Sequence, residues 1–186
     1  FNKMQELLAI SRHHGFFIFE DRKFADIGHT AARQYGDGLF RIASWAHLVN
    51  AHGLPGVGQI LALREVAERY EDRSLLLLAN MSSEGALFLP AYREKILSLA
   101  RDHKDFICGF IAPKLQATVP GFLNFHPGVH LDVDSDAKGQ DYLCPQQLSE
   151  CRVDSFIVGR GILQSQDQVR AAKRYQRECW EISFAY

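Results

Sequence analysis

Short apolar runs without polar interruptions are the feature that most limits the folds available to this chain. FFIF at 16–19, LLLLA at 75–79 and FICGFI at 106–111 lack the alternation of apolar and polar residues that a half-buried strand shows. Such runs are typical of strands covered on both faces, as in a parallel sheet between helices. The same interpretation applies to three further segments, 47–51, 122–125 and 155–158.

Between these predicted strands, apolar residues recur three or four positions apart, and we expect helices there. The predicted helices cover the first 14 residues, where Gly15 ends the pattern, and four later stretches: 27–35, 58–70, 92–100 and 167–180. Strands that alternate with helices predict a parallel α/β sheet with helices outside it.

Two architectures fit this order of elements, an open doubly wound sheet and a (β/α)8 barrel. A complete barrel of about 250 residues has about 31 residues per βα unit. At that spacing, the 186 residues of this chain supply six units rather than eight. No linker or low-complexity tract interrupts the sequence, so we expect one domain over residues 1–186.

Composition narrows the class of partner. The net charge is −1, so no basic excess favours nucleic acid or an anionic membrane. No apolar segment is long enough for a membrane span, and no signal-peptide pattern is present. The four cysteines form no C-x-x-C pair, which predicts free thiols in a reducing compartment. We therefore expect a cytoplasmic protein.

Asp21, Lys23 and Asp26 form the motif D-x-K-x-x-D directly after the predicted strand at 16–19. Parallel α/β folds place their chemistry at the carboxyl ends of strands, so this position favours function. In extended backbone, Asp21 and Lys23 point to the same side. Carboxylates on both sides of an ammonium stabilise its charge and hold it in place, as a fixed proton donor requires. The alternative is a salt-bridged surface turn in which Asp26 caps the next helix.

Two later segments have features of an anion site. The sequence GRG at 159–161 follows the last predicted strand, its glycines let backbone N–H groups approach an anion, and Arg160 can bind phosphate with two hydrogen bonds. The alternative is a tight turn with a solvent-facing arginine. The segment 126–142 is polar and long enough to close over a ligand, and Gln140 and Tyr142 could hydrogen-bond to a phosphate. The alternative there is a mobile surface loop.

Ser82 and Ser83 follow the predicted strand at 75–79 and are candidate ligands for a polar ring, or else a helix cap. The histidines are not spaced as a set of metal ligands. The acidic residues at 132–136 lack the glycine and glutamate of a calcium loop, so the sequence predicts no metal site.

Six segments spread in order over nearly the whole chain form a set of motifs: FEDRKFADIG (19–28), RIASWAHLVNAHG (41–53), MSSEGAL (81–87), HPGV (126–129), GQDY (139–142) and IVGRGI (157–162). Together they resemble orotidine 5′-monophosphate decarboxylases, in particular the decarboxylase domains of animal UMP synthases. Members of that family are dimeric (β/α)8 barrels that convert orotidine 5′-monophosphate to UMP, the last step of de novo pyrimidine nucleotide synthesis, without metal or organic cofactor. The resemblance implies an α/β fold of the (β/α)8 TIM barrel class, with about six of the eight βα units in this chain.

The resemblance also implies roles for individual residues. Lys23 stabilises and protonates the C6 carbanion, and Asp21 lies beside the scissile carboxylate. Asp26 and Thr30 reach into the site of the neighbouring subunit of a homodimer and contact the ribose. Ser82 binds the pyrimidine edge, and the 5′-phosphate is bound by Gln140, Tyr142, Gly159 and Arg160. Pro127, in the HPGV motif, completes the implied substrate-binding set.

Some features of the family have no counterpart in this sequence. The family carries a second catalytic lysine after its second strand and an acidic ribose contact after its first, and the resemblance begins in the helix after strand two. We therefore expect a barrel that lacks the first two strands, and a chain that is unstable or weakly active alone. Four positions differ from the family pattern: His29, His47, Asn80 and His126. In the full-length protein an orotate phosphoribosyltransferase domain can precede the decarboxylase.

Two other functions stay open. One is a non-catalytic fragment or remnant that at most binds a partner barrel, which the absent lysine favours. The other is a related barrel decarboxylase that uses D-x-K-x-x-D with magnesium on a sugar-phosphate acid. Ser82 and the GQDY motif favour the nucleotide over that sugar phosphate.

Overall fold

Helices and strands alternate along the chain in the computed structural model, which describes residues 2–83, 85–113, 120–132, 142–148 and 153–183. The strands are β1 (Phe19–Phe24), β2 (Leu48–His52), β3 (Ser74–Leu78), β4 (Ile107–Ile111), β5 (Leu123–His126) and β6 (Ser155–Phe156). The helices are α1 (Asn2–His14), α2 (Gly28–Gly36), α3 (Val57–Ala67), α4 (Pro90–Asp102), α5 (Arg160–Leu163) and α6 (Gln168–Ser183), with short 3-10 helices at Ile42–Ser44 and Pro145–Leu148.

The predicted alternation is confirmed, and five of the six predicted strands lie within a few residues of their expected positions. The prediction for the first strand is wrong. FFIF at 16–19 is not a buried strand, because β1 begins only at Phe19, and Phe16 and Phe17 are 42% and 73% exposed.

The end of α1 explains this difference. Gly15 takes a positive φ of 68°, and the backbone amides of Gly15 and Phe16 both donate to the carbonyl oxygen of Ser11. The Ser11 hydroxyl in turn donates to the Phe16 carbonyl. Phe16 therefore belongs to the turn that closes the helix rather than to the sheet.

The described chain divides into two compact units. The first contains Phe1–Leu78 and Glu94–Cys108. Its strands β1, β2 and β3 are parallel and adjacent in that order, with Leu48 opposite Ser74 and His52 opposite Leu78. β3 is buried along almost its whole length, as its run of leucines predicts.

Close packing between α2 and α3 is the other main feature of the first unit. A side chain at Gly28 would place its Cβ 2.7 Å from the carbonyl oxygen of Gly58, so the two backbones approach each other directly. The largest fully buried side chains of this unit lie on its strands and helices: Phe24, Tyr35, Ile42, Ile60, Leu63, Leu75, Leu76, Leu77, Leu78, Ile96 and Ile107.

The second unit contains Ala79–Arg93 and Gly109–Tyr186. The end of β4 pairs in parallel with β5, and β5 with β6. Asp154, before β6, accepts the amide of Asn124 at 2.8 Å and donates its own amide to the Asn124 carbonyl at 3.0 Å. A separate apolar cluster is formed by Val129, Leu148, Val153 and Tyr175.

Among the helices in the described part of the chain, none is both long enough and apolar enough to cross a membrane. Cys108, Cys144 and Cys179 are free thiols, as predicted, while Cys151 lies outside the described residues.

A stability prediction follows from the contact between β4 and β5. A Cβ at Gly109 would run into the backbone carbonyl of Leu123, which cannot rotate away as a side chain could. We expect Gly109→Ala to lower the free energy of unfolding by about 1–3 kcal/mol, measured by urea denaturation.

Gly58→Ala is the matched control, because its Cβ meets no atom within 4 Å and the residue lies in a helix. We expect this change to be neutral or to stabilise the protein by up to about 1 kcal/mol. Equal effects of the two substitutions would contradict the proposed clash.

Candidate functional site

A bulge in β1 carries the first two residues of the D-x-K-x-x-D motif. Glu20 pairs with Val49 and Phe24 pairs with Ala51. Between these two pairs β1 therefore advances by four residues while β2 advances by two. The additional residues form a bulge at 21–23, where β1 departs from the regular hydrogen-bond ladder with β2. Phe24 returns to the core, where it is 2% exposed.

Lys23 adopts a left-handed backbone with a φ of 53°, and the prediction of extended backbone at this residue is wrong. Such a conformation costs a residue other than glycine about 1–3 kcal/mol and persists only where the surroundings hold it. The holding group is Asn50 in β2, whose Oδ1 accepts the Lys23 amide at 2.6 Å. Asn50 is fully buried.

The same Asn50 side chain also fixes Asp21. Its Nδ2 donates to Asp21 Oδ1, while Lys23 Nζ donates to Asp21 Oδ2 at 2.6 Å. Asp21 therefore engages the carboxamide with one oxygen and the ammonium with the other. The predicted contact between Asp21 and Lys23 is confirmed, although it forms across a bulge rather than along an extended strand.

Asp26 lies apart from this ion pair. Among the described residues, the Lys23 ammonium pairs with Asp21 and not with Asp26, so the expectation of carboxylates on both sides is wrong within this chain. Nor does Asp26 cap α2 in the usual way: Ile27 occupies the N-cap position, and Asp26 Oδ1 accepts only the adjacent Ile27 amide, at 2.8 Å.

A second buried carboxamide holds the backbone of Asp26. Gln59 is fully buried at the start of α3; its Oε1 accepts the Asp26 amide at 3.0 Å, and its Nε2 donates to the His52 carbonyl at 2.8 Å. His52 ends β2. The D-x-K-x-x-D segment is thus tied to β2 through both of its flanks, by Asn50 in the middle of the strand and, through Gln59, by His52 at its end.

Two histidines of the first unit have a lowered pKa. Burial lowers the pKa of His52, and the positive charge of Lys23 lowers it further. For His47, burial is again the largest cause, followed by the charge of Arg73. His47 Nδ1 accepts the Ile18 amide at 3.0 Å, which a neutral imidazole can do. His47 thereby serves the backbone at the entry to β1.

Thr30 is half-buried on α2 and lines a cavity of about 450 Å³. The other residues around this cavity are largely polar or basic, and they include Arg22, His29 and Arg33. The cavity is lined entirely by the first unit.

The second unit carries the predicted substrate-binding residues other than Thr30. Ser82 is half-buried a few residues beyond the end of β3, and Pro127 is half-buried directly after β5. Gln140 lies outside the described residues.

Tyr142 and Arg160 are brought together. The guanidinium carbon of Arg160 lies 5.2 Å from the centre of the Tyr142 ring, within the range of a cation–π contact. Gly159 and Arg160 are exposed, and Gly159 precedes α5. Gly161 must be small because a Cβ there would collide with the ring and hydroxyl of Tyr175.

Leu143, the residue after Tyr142, is hydrogen-bonded to the stretch that follows β5. Leu143 donates its amide to the Gly128 carbonyl at 2.9 Å, and its own carbonyl accepts the His130 amide at 3.1 Å. The Tyr142 ring lies 5.3 Å from the His130 ring in an edge-on arrangement. Residues 128–130 therefore set the position of Tyr142.

A cavity of about 1000 Å³ in the second unit is lined by other residues. These include Asp132, Arg170, Lys173, Arg174 and Arg177, together with Gly161 from the GRG motif. Across the described ranges, no three histidine, cysteine, aspartate or glutamate side chains are grouped so that they could hold a metal ion.

Sequence reasoning missed Asn50 and Gln59. Asn50 gives a signal in retrospect, since it is a polar residue inside the otherwise apolar segment LVNA. Gln59 similarly precedes Ile60 and Leu63 on the buried side of α3. A buried polar residue needs a hydrogen-bond partner, but the sequence does not say which one.

Comparison with known proteins connects this geometry to a family. The family model described as "Orotidine 5'-phosphate decarboxylase / HUMPS family" matches residues 1–175. The uridine 5′-monophosphate synthase of Bos taurus is 46% identical over 179 residues, which are 96% of this chain but only 37% of that protein. The orotidine 5′-phosphate decarboxylase of Rhizomucor pusillus is 47% identical over 179 residues, 94% of this chain and 68% of that protein.

Solved structures show the same fold. The orotidine 5′-monophosphate decarboxylase of Methanocaldococcus jannaschii aligns with a TM-score of 0.70 at 22% identity, covering 95% of this chain and 79% of that one. The Metallosphaera sedula enzyme aligns with a TM-score of 0.64 at 24% identity, covering 88% and 74%. The fold is therefore that of a (β/α)8 barrel, of which the described residues form six strands, and not an open doubly wound sheet. The chain belongs to the orotidine 5′-phosphate decarboxylase / HUMPS family.

Proposed function

We propose that this chain decarboxylates orotidine 5′-monophosphate to UMP. The observation that carries the proposal is the Lys23 ammonium fixed 2.6 Å from Asp21 on a strained bulge, in a chain 47% identical to a fungal decarboxylase of that nucleotide. Pyrimidine nucleotide synthesis is the corresponding pathway.

The proposed reaction breaks the bond between C6 of the pyrimidine and its carboxylate. Carbon dioxide leaves, the electron pair stays on C6, and a proton from Lys23 Nζ then forms the C6–H bond of UMP. Solvent returns the proton to the lysine. A carbanion is poorly stabilised by water, so a fixed positive charge at C6 lowers the barrier more than a mobile one.

The arrangement around Lys23 supports this role. The Asn50 carboxamide holds the lysine backbone and the Asp21 carboxylate, so little reorganisation is needed as charge develops. Asp21 is placed by the proposal beside the departing carboxylate. Its contact with the ammonium keeps the lysine oriented before the substrate arrives.

The proposal also assigns residues that bind the substrate. We assign the binding of the 5′-phosphate to Arg160, Tyr142, Gly159 and Gln140. Ser82 is assigned to the pyrimidine edge, and Pro127 is also assigned to the substrate-binding residues. The exposed guanidinium of Arg160 beside the Tyr142 ring supports the assignment, since arginine can donate two hydrogen bonds to one phosphate. No metal or organic cofactor is required by the proposed chemistry.

The proposal includes a homodimer in which Asp26 and Thr30 contact the ribose in the partner's site. Ile27, next to Asp26, is an apolar side chain that is 68% exposed, which supports a protein–protein interface at this segment. The match to a UMP synthase, of which the chain spans 37%, supports fusion to a further domain such as an orotate phosphoribosyltransferase. Free thiols at Cys108, Cys144 and Cys179 support a cytoplasmic location.

The test of the lysine is UMP formation from orotidine 5′-monophosphate by the purified chain and by Lys23→Ala. We expect the substitution to lower kcat by at least about 10³-fold, because it removes both a preorganised charge and a proton donor. The measurement is the loss of the substrate's ultraviolet absorbance. Lys104→Ala, at an exposed position before β4, is the control and should retain full activity.

Two results would favour other functions. Activity that disappears in chelator and returns with magnesium would favour the related sugar-phosphate decarboxylases that share the motif. UMP binding without turnover in the unsubstituted chain would favour a non-catalytic fragment. Equal activity of Lys23→Ala and the unsubstituted chain would contradict the catalytic role assigned to Lys23.

The phosphate assignment predicts a substrate-dependent effect of Arg160→Ala. We expect kcat/KM for orotidine 5′-monophosphate to fall about 10- to 100-fold, the effect of losing a charge-assisted contact. The nucleoside orotidine lacks the phosphate, so its much slower reaction should not change. Arg170→Ala on α6 is the control, and an equal loss with both substrates would contradict a phosphate contact.

The shared site predicts complementation between two inactive variants. Lys23→Ala and Asp26→Ala are each expected to be inactive as homodimers. In a mixed dimer, one of the two sites combines the intact Lys23 of the Asp26→Ala chain with the intact Asp26 of the Lys23→Ala chain. Random exchange of subunits should then restore about a quarter of the wild-type activity. A mixture that stays inactive after exchange would place both residues in the same subunit's site.

A further inference from the structure

Gln59 uses both ends of its carboxamide in hydrogen bonds although it is fully buried. Its Oε1 accepts the amide of Asp26, and its Nε2 donates to the carbonyl of His52. A buried carboxamide that lost these partners would leave unpaired polar groups, at a cost of about 1–3 kcal/mol for each group. The residue is therefore held in one orientation by its own bonds.

The two backbone groups that Gln59 joins belong to different parts of the proposed machinery. Asp26 is the last residue of the D-x-K-x-x-D motif, three positions after Lys23. His52 ends β2, the strand that also carries Asn50. Asn50 holds the start of the motif at Asp21 and Lys23, and Gln59 holds its end.

The main elements alone do not hold Asp26. β1 ends at Phe24 and α2 begins at Gly28, so Asp26 lies in the connection between them. Its carboxylate accepts only the adjacent Ile27 amide among the described residues, and that bond does not tie it to another element. The bond to Gln59 reaches α3, 33 positions along the chain.

We infer that Gln59 is a positioning residue, which sets the place of Asp26 relative to the end of β2 and so completes the geometry of the catalytic segment. This inference rests on the proposed decarboxylase function for its catalytic consequence, but its structural part stands alone. The alternative is that the two hydrogen bonds of Gln59 only compensate for the burial of its own carboxamide and do not determine the position of Asp26.

Three substitutions separate these possibilities. Gln59→Met keeps the length of the side chain and removes both hydrogen bonds. Gln59→Glu keeps an oxygen acceptor for the Asp26 amide but removes the donor to the His52 carbonyl. Gln59→Asn keeps the carboxamide on a side chain too short for both contacts, and replaces the methionine variant if that one does not fold. Gln176→Met, at an exposed position of α6, is the matched control.

The first readout is amide hydrogen exchange of the 186-residue chain, followed by NMR. We expect the protection of the Asp26 amide to fall about tenfold in Gln59→Met, as for the loss of one hydrogen bond, and to be retained in Gln59→Glu. The Ala31 amide of α2, which donates to the carbonyl of Ile27 at the N-cap position, is the internal reference and should not change. Unchanged protection of Asp26 in Gln59→Met overturns the inference.

The second readout is decarboxylation of orotidine 5′-monophosphate, with kcat expressed per folded molecule. We expect Gln59→Met to lower kcat about tenfold or more with a smaller change in KM, because a displaced catalytic segment loses alignment. Gln176→Met should behave as the unsubstituted chain. An unchanged kcat in Gln59→Met overturns the catalytic consequence.

The two proposals fail in different ways. If the unsubstituted chain does not decarboxylate the nucleotide, the proposed function fails, while the exchange pattern still decides whether Gln59 holds Asp26. If the chain is active but Gln59→Met matches it in both readouts, the function stands and the role of Gln59 is rejected.

Discussion

The buried carboxamide of Asn50 fixes the conformation of the D-x-K-x-x-D segment at Asp21 and Lys23. Asn50 accepts the amide of Lys23 and donates to the carboxylate of Asp21, so it sets both the backbone and the side chains of the ion pair. A left-handed lysine is unfavourable by itself, and the bulge in β1 exposes backbone that the ladder would otherwise satisfy. The polar residue at the centre of an apolar strand therefore makes the irregular strand next to it possible. The residues proposed to carry the chemistry are therefore also those with the local backbone strain.

Most of the fold could be predicted from the sequence because burial on both faces removes the polar residues from a strand. LLLLA and FICGFI became β3 and β4 for this reason. The same rule failed for FFIF, where apolar content indicated a strand but the hydrogen bonds of Ser11 closed a helix instead. The pattern of apolar residues indicates which side chains are buried, but it does not indicate which backbone groups are already hydrogen-bonded within a neighbouring helix or turn. The real first strand, FEDRKF, contains four charged residues and could not be identified by apolar content.

The candidate site was predictable to the extent that its residues form motifs. Asp21, Lys23 and Arg160 were identified by residue type and by their place after predicted strands. Their supports were not, because Asn50 and Gln59 lie 27 and 33 positions from the amides they bind. A contact over that distance depends on the tertiary fold, and a lone polar residue in an apolar stretch indicates only that some partner exists. The separation between Lys23 and Asp26 was missed for a related reason, since proximity in sequence does not fix proximity of side-chain charges across a bulge.

Both groups that hold the D-x-K-x-x-D segment are carboxamides, and carboxamides neither gain nor lose a proton in the range where proteins are folded. Their hydrogen bonds therefore keep the same donors and acceptors from acidic to basic solution. A scaffold built from histidine or carboxylate side chains would rearrange as those groups titrate, and the rate would then record the movement of the support together with the chemistry. Here neither carboxamide titrates, so the groups that hold the two flanks of the motif keep their state as the pH changes, and the titratable support among the contacts described is His47, whose neutral imidazole accepts the Ile18 amide at the entry to β1.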